Sequence, residues 1–284
     1  MIGLIDIGGT KLLSAVGAEG HVGPSLRRET PQAGDMVDVL GEMLDESRRG
    51  RRLEAIAAAV PGPFDRAKGH LINPPGMSAS WHRLDIATPL GRRFDCPVVV
   101  ENDANCAALA EARLGAGRGA RLLVYYTVST GIGSGTVRDG RLVVDRGDTE
   151  GGHQVLWPPR AGGPPCDCGG AGCLEAIASG RAIARRFGRP ASQIEDQPVW
   201  DEVGEWLGIA VVNTTAILDC DRVVFGGGVA SARWERLRPA LTATLRRHLR
   251  LQEAPDVRLA ELSADRNLAG ALLLIGDRLD TPAR

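Results

Sequence analysis

The 284 residues carry 34 Lys and Arg against 35 Asp and Glu, a formal net charge of −1. That balance excludes the basic face by which proteins hold nucleic acid or an anionic membrane, and the length suits one large or two medium α/β domains. No apolar run approaches a membrane span, and Met1 leads into a strand-like segment rather than a signal peptide, so a cytoplasmic protein is expected.

In chain order, Ile2 to Asp6 reads as a strand, Ile7-Gly8-Gly9-Thr10-Lys11 as a turn and Leu12 to Val16 as a second strand. A third strand is expected around His21 to Arg28. Asp35 opens a helix in which Met36, Val37, Leu40, Met43 and Leu44 recur at helical spacing. Ala55 to Val60 is a buried strand stopped by Pro61-Gly62-Pro63, and a long loop runs on through Asn73-Pro74-Pro75-Gly76 to Trp81. Val98 to Glu101 is the next strand and Ala104 to Leu114 the next helix.

The second half opens the same way. Leu122 to Val128 is a strand, Thr130 to Gly135 a glycine turn, Thr136-Val137 a short strand, and Leu142 to Val144 another. Helices are expected near Leu174 to Arg186, Glu202 to Leu218, Trp234 to Leu249 and at the end of the chain to about Leu279. Strands fall at Val223 to Phe225 and Val257 to Leu262. The halves match in architecture and not residue by residue. The expectation is two α/β domains, 1–110 and 111–284, with a cleft between them and the last helix crossing back to the first.

Between the halves' strands lies the most specific stretch, Glu150-Gly151-Gly152-His153 followed by Cys166-Asp167-Cys168-Gly169-Gly170-Ala171-Gly172-Cys173-Leu174-Glu175. His153, Cys166, Cys168 and Cys173 form the ligand set of a closed structural zinc site. A disulfide fits worse, because Cys166 and Cys168 flank one residue and Cys173 would stay unpaired. The remaining cysteines (Cys96, Cys106 and Cys220) read as buried small hydrophobes of a reducing compartment. A metal-bound imidazole keeps one N–H to donate. Held between Glu150 and Glu175, that donor suits the hydroxyls of a sugar.

Three further motifs carry chemistry. In Asp6-Ile7-Gly8-Gly9-Thr10-Lys11 the glycines let backbone N–H groups face an anion, with a hydroxyl and a charge beside them. No helix follows at once, so this is neither a P-loop nor a dinucleotide fingerprint. Thr130-Gly131-Ile132-Gly133 is a second such turn, and Gly226-Gly227-Gly228 after a strand admits an adenosine to the backbone. At Glu101-Asn102-Asp103-Ala104-Asn105 a strand meets a helix. Asn and Asp are ordinary helix N-caps there, yet an Asp at such a junction can also take the proton of a hydroxyl that attacks a phosphoryl group.

Together these motifs resemble the ROK family (repressors, open reading frames and sugar kinases) of the actin/hexokinase-like ATPase superfamily, nearly end to end. The resemblance implies two actin/hexokinase-like, ribonuclease H-like domains and an ATP-dependent kinase acting on the 6-hydroxyl of glucose or a related hexose or N-acylhexosamine. It implies Asp103 as catalytic base, with Asn102, Asp103, Glu150, His153 and Glu175 binding the sugar. It further implies Asp6, Gly8, Gly9, Thr10, Lys11, Thr130, Gly131, Gly133, Gly227 and Gly228 around ATP and Mg²⁺, a structural Zn²⁺, and a homodimer. Two departures stand out. The family usually has a bulky apolar residue where Gly151 stands, and Met77 to Ser80 separate Gly76 from Trp81, which usually follows closely.

Two rival functions fit these residues less well. A sugar-sensing transcriptional regulator of the same family would carry a helix-turn-helix segment ahead of Asp6, and the charge balance offers no DNA-binding face. A filament or chaperone ATPase would have no use for the zinc loop and its glutamates.

Overall fold

The structure, a computed structural model, describes residues 1–74, 77–144, 147–263 and 265–279. The Pro75-Gly76 step before Trp81 therefore lies outside the described residues. The chain falls into two compact units, Met1–Ala110 with the segment from Ser263 onward, and Glu111–Leu262.

The chain opens with β1 (Ile2–Ile7), β2 (Lys11–Ala18), β3 (His21–Val22), β4 (Leu26–Glu29), α1 (Met36–Arg48) and β5 (Ala55–Val60). A two-stranded ribbon, β6 (Phe64–Asp65) with β7 (His70–Leu71), precedes α2 (Ala87–Phe94), β8 (Val98–Asn102) and α3 (Asp103–Leu114). The second unit takes β9 (Leu122–Val128), β10 (Ile132–Arg138), β11 (Arg141–Leu142), α4 (Leu174–Ala178), α5 (Gly180–Phe187) and α6 (Gln197–Leu218). Then follow β12 (Arg222–Gly226), α7 (Gly228–His248), β13 (Asp256–Leu259) and α8 (Arg266–Leu279).

In the first unit the strand order is β3-β2-β1-β5-β8, with β4 also on β2. β1 and β2 pair antiparallel, and β1, β5 and β8 run parallel. A parallel strand covered on both faces reads as an unbroken apolar run, as Ala55-Ile56-Ala57-Ala58-Ala59-Val60 does. Ile56, Ala58 and Val60 point to a core with Met36, Leu40 and Met43 of α1 and with Trp81. Ala55, Ala57 and Ala59 point to the other, under Leu268, Ala271, Leu272 and Ile275 of α8. Asp35 caps α1, its Oδ1 accepting from Val37 N at 3.0 Å and Asp38 N at 3.1 Å.

The second unit repeats the plan with order β11-β10-β9-β12-β13, antiparallel between β9 and β10 and parallel from β9 through β12 to β13. Its core gathers Tyr126, Phe225, Trp200, Trp234 and the apolar faces of α6 and α7. Among the described residues no helix is long and apolar enough to cross a membrane.

Several local expectations are corrected. The strand expected over His21 to Arg28 is two short ones, β3 and β4. The glycine turn expected over Thr130 to Gly135 ends at Gly131, because Gly133 and Gly135 lie in the β10 ladder opposite Thr127 and Tyr125. The loop expected after Val60 contains the β6–β7 ribbon, and α2 follows it before β8. The single helix expected over Leu174 to Arg186 breaks at Ser179, which is extended (ψ 160°) and caps α5 by accepting from Ala182 N at 3.1 Å. The helix expected from Trp234 starts at Gly228.

Candidate active site

In the first unit β8 delivers Glu101 and Asn102 to the start of α3. Asn102 caps the helix, its Oδ1 accepting from Ala104 N at 2.8 Å and Asn105 N at 3.2 Å, which leaves Nδ2 as its donor end. Asp103, half-buried, begins the helix and accepts from Ala104 N at 2.8 Å. Beneath them Glu101 is 1% exposed and holds a two-pronged ion pair from Arg66, Nε at 3.1 Å and Nη2 at 2.6 Å. Its Oε1 also accepts from Asn102 N at 2.8 Å and Asn105 Nδ2 at 3.0 Å. A buried carboxylate so fully engaged keeps the Asn102-Asp103 corner in one orientation.

The other motif of this unit is the β1–β2 turn. Gly8 N donates to Lys11 O at 3.0 Å, and Thr30 braces the turn by donating from Oγ1 to Gly8 O at 2.6 Å. Gly9 and Thr10 are exposed at its tip. Asp6, at the end of β1, accepts from Asn267 Nδ2 of α8 at 3.1 Å. Burial pushes its pKa up to about 6, against the pull of Asn267 and the Lys11 charge.

In the second unit His153, Cys166, Cys168 and Cys173 place one ligand atom each within 4.8 Å of the others. Cys166 Sγ is 3.6 Å from His153 Nδ1, and Cys168 Sγ is 3.7 Å from Cys173 Sγ. Tetrahedral zinc with bonds of about 2.3 Å to sulfur and about 2.0 Å to nitrogen sets those edges at roughly 3.5 and 3.8 Å, so the donor set fits Zn²⁺. The chemistry agrees. Burial raises the Cys166 thiol and pushes Cys173 up to about 12, whereas the Gly170 backbone N–H lowers Cys168. Zinc binds thiolates, so a bound cation would supply the positive charge that favours ionising these thiols.

Because Nδ1 faces the sulfurs, His153 Nε2 faces outward, 4.0 Å from Glu150 Oε2. Burial raises the Glu150 pKa. Glu175, in the first turn of α4, accepts from Ile132 N at 2.7 Å through Oε2. It thus ties the zinc loop to the glycine turn after β9. That turn is held from its other side too, as Gly180 N donates to Ser129 O at 2.8 Å and Arg181 N to Thr130 O at 3.1 Å.

A sequence model of the ROK family matches residues 2–278. This chain belongs to the ROK family. The N-acetylmannosamine kinase of Escherichia coli O157:H7 is 31% identical over 301 residues, covering 97% of this chain and 98% of its own. The crystal structure of a ROK hexokinase from Thermus thermophilus superposes with a TM-score of 0.84 at 34% identity, covering 97% and 99%. A ROK family glucokinase from Streptomyces griseus, in complex with glucose and AMPPNP, gives 0.79 at 27% identity, covering 95% and 97%. The protein is a ROK sugar kinase with the family's two α/β units and a Cys₃His loop.

One feature of this ROK chain is only partly marked by its sequence motifs. A cavity of about 240 Å³ lies beside the glycine turn, lined by Ser129, Thr130, Ser192, Gly228, Val229 and Arg233 among others. Gly227, which precedes the lining residue Gly228, has a φ of 88°, and a side chain there would strike Val128 O. Arg233 is fixed as a wall, donating to Glu195 Oε1 at 2.8 Å and Ser192 O at 2.7 Å. Gly227 and Gly228 were legible as candidates. Ser192, Val229 and Arg233 were not, because they come from separate elements without a shared motif.

Proposed function

We propose that this ROK kinase transfers the γ-phosphoryl group of ATP to the 6-hydroxyl of glucose or a closely related hexose or N-acylhexosamine. The observation that carries the reading is the aim of His153, with Nδ1 turned into the cysteine cluster and Nε2 presented beside Glu150. A rigid N–H donor next to a carboxylate acceptor matches vicinal hydroxyls, and a water-exposed loop would not hold that pair in register. Relatives named glucokinase, N-acetylmannosamine kinase and fructokinase support the hexose class.

In this reading Asp103 accepts the hydroxyl proton while the oxygen attacks the γ-phosphorus and the bond to the β-phosphate oxygen breaks, releasing ADP. Asn102, Glu150, His153 and Glu175 hold the sugar's hydroxyls. The Asp6–Lys11 turn, the Thr130–Gly133 segment and Gly227-Gly228 hold the nucleotide, with the 240 Å³ cavity sized for its base. Mg²⁺ arriving with ATP would offset charge on the transferring phosphoryl group, and Asp6 is the buried carboxylate suited to orient it. Zinc would keep His153 in the tautomer that donates from Nε2.

The test is a coupled kinase assay across glucose, mannose, fructose, allose, N-acetylglucosamine and N-acetylmannosamine, with product position read by NMR. Phosphorylation at the 6-hydroxyl of at least one, saturable in sugar, is expected. ATP hydrolysis indifferent to every sugar overturns the reading.

A further inference from the structure

The turn that carries Glu150 and His153 is set by residues to which no site role has been given above. Its middle residue, Gly151, has no side chain, and the space where one would go is filled. A Cβ at 151 would stand 2.7 Å from Tyr126 Cε1 and 2.8 Å from Ser134 Oγ. Tyr126 projects from β9 and is 1% exposed. Its ring is fixed by stacking on Phe225, with centroids 5.5 Å apart and planes inclined by 18°.

The ring carries a polar end, and that end reaches the turn. Gln154, the residue after His153, donates from Nε2 to Tyr126 Oη at 2.9 Å and to Gly151 O at 3.2 Å. The phenol oxygen accepts from the Gln154 amide and shares a further hydrogen bond with Thr214 Oγ1, 2.6 Å away on α6, in which either hydroxyl can be the donor. On the opposite side Ser134 Oγ accepts from Gly151 N at 2.7 Å and donates to Thr149 O at 2.6 Å. Both peptide groups of Gly151 are therefore claimed, one by β10 and the other by a chain running from α6 through Tyr126 and Gln154.

We propose that Tyr126 is a positioning residue for sugar binding: acting through Gln154, its phenol sets the pitch of the Glu150–His153 turn and replaces the anchoring that a side chain at 151 would give. The inference rests on the reading that Glu150 and His153 hold the sugar. Tyr126 touches neither substrate, and its effect is confined to one of the two.

The test uses the full chain and four variants, each assayed for hexose KM, ATP KM, bound zinc and melting temperature. Y126F keeps the ring and deletes the hydroxyl. It is expected to raise the hexose KM about three- to tenfold, the range of a lost buried hydrogen bond, with ATP KM within about twofold and zinc at the wild-type level. G151I is expected to lose sugar affinity by collision with Tyr126 and Ser134, and Y126L/G151I to recover part of it by vacating the ring's space. A general loss of stability moves both Michaelis constants or the melting temperature alone, and the double variant would then be the worst of the three. Unchanged hexose KM in Y126F, or a double variant no better than G151I, overturns the proposal. E150Q is the control: a hexose KM unmoved by E150Q removes the reading of the turn as the sugar site, and this inference falls with it. A response to E150Q without one to Y126F removes the inference alone.

Discussion

Asp103 and Asp6 are both carboxylates at strand ends, and their surroundings give them different tasks. Asp103 is half-buried at the head of α3, with the Arg66–Glu101 pair fixing the corner beneath it. Replacing it by alanine is expected to cut kcat by about 10²–10⁴ while sugar affinity, measured by calorimetry, falls far less. Full turnover in that variant removes Asp103 as the base. Asp6 is shifted from 3.8 to about 6 by burial. The folded state therefore favours its protonated form, so its contribution to stability is complete below about pH 4 and is lost as the pH rises through about 6. D6N removes that penalty, on the order of 2–3 kcal/mol at neutral pH. Without nucleotide it is expected to melt higher than the wild type at pH 8 and no higher at pH 4. Melting curves at the two pH values decide this, and an equal shift at both would refute it.

Among the elements, the zinc loop and the helix that follows it matter most. The loop has little core of its own, and Cys168 and its glycine neighbours are exposed. Structural zinc is worth ~10–16 kcal/mol in small sites, which rivals the ~5–15 kcal/mol of a whole domain. Chelation is therefore expected to release His153 and abolish hexose affinity, with ATP binding, followed by a fluorescent analogue, largely kept. A metal-free enzyme with an unchanged sugar KM would contradict this. The break between α4 and α5 teaches the same lesson about context. Leu174, Ile177, Ala178, Ala182 and Ile183 make a continuous helical stripe, and nothing in that stripe marks Ser179 as an end. The chain breaks there because Gly180 N and Arg181 N are spent on Ser129 O and Thr130 O, some fifty residues earlier in the sequence. A helix terminus supplies such donors and a helix interior does not.

For the molecule as a whole, the first unit is closed by the last helix. Leu268, Leu272 and Ile275 are buried on β1 and β5, and Leu272 packs against Gly17. Burying three such side chains is worth roughly 5–8 kcal/mol, a large share of a domain's net stability. A chain ending at Leu262 is expected to lose protease resistance across residues 1–110 and retain bound zinc, because the Cys₃His cluster belongs wholly to the unit Glu111–Leu262. Limited proteolysis with metal analysis tests both halves of that statement, and retained resistance in the first unit would refute it.

The residues of this chain settle locally whatever depends on neighbours in sequence. The six-residue apolar run of β5, the capped stripe of α1 and the spacing of a soft-ligand set are each complete within a short window. That is why β1, β5, α1, the Cys₃His set and the Asn102-Asp103 corner could be read from the sequence directly. The end of the glycine turn at Gly131, the hold of Glu175 on Ile132 N and the filling of the space beside Gly151 by Tyr126 were decided only by the tertiary structure. Each depends on which distant backbone or ring comes within about 3 Å. Such proximity leaves no periodic trace in the sequence, because it is fixed by how the sheets and helices close on one another.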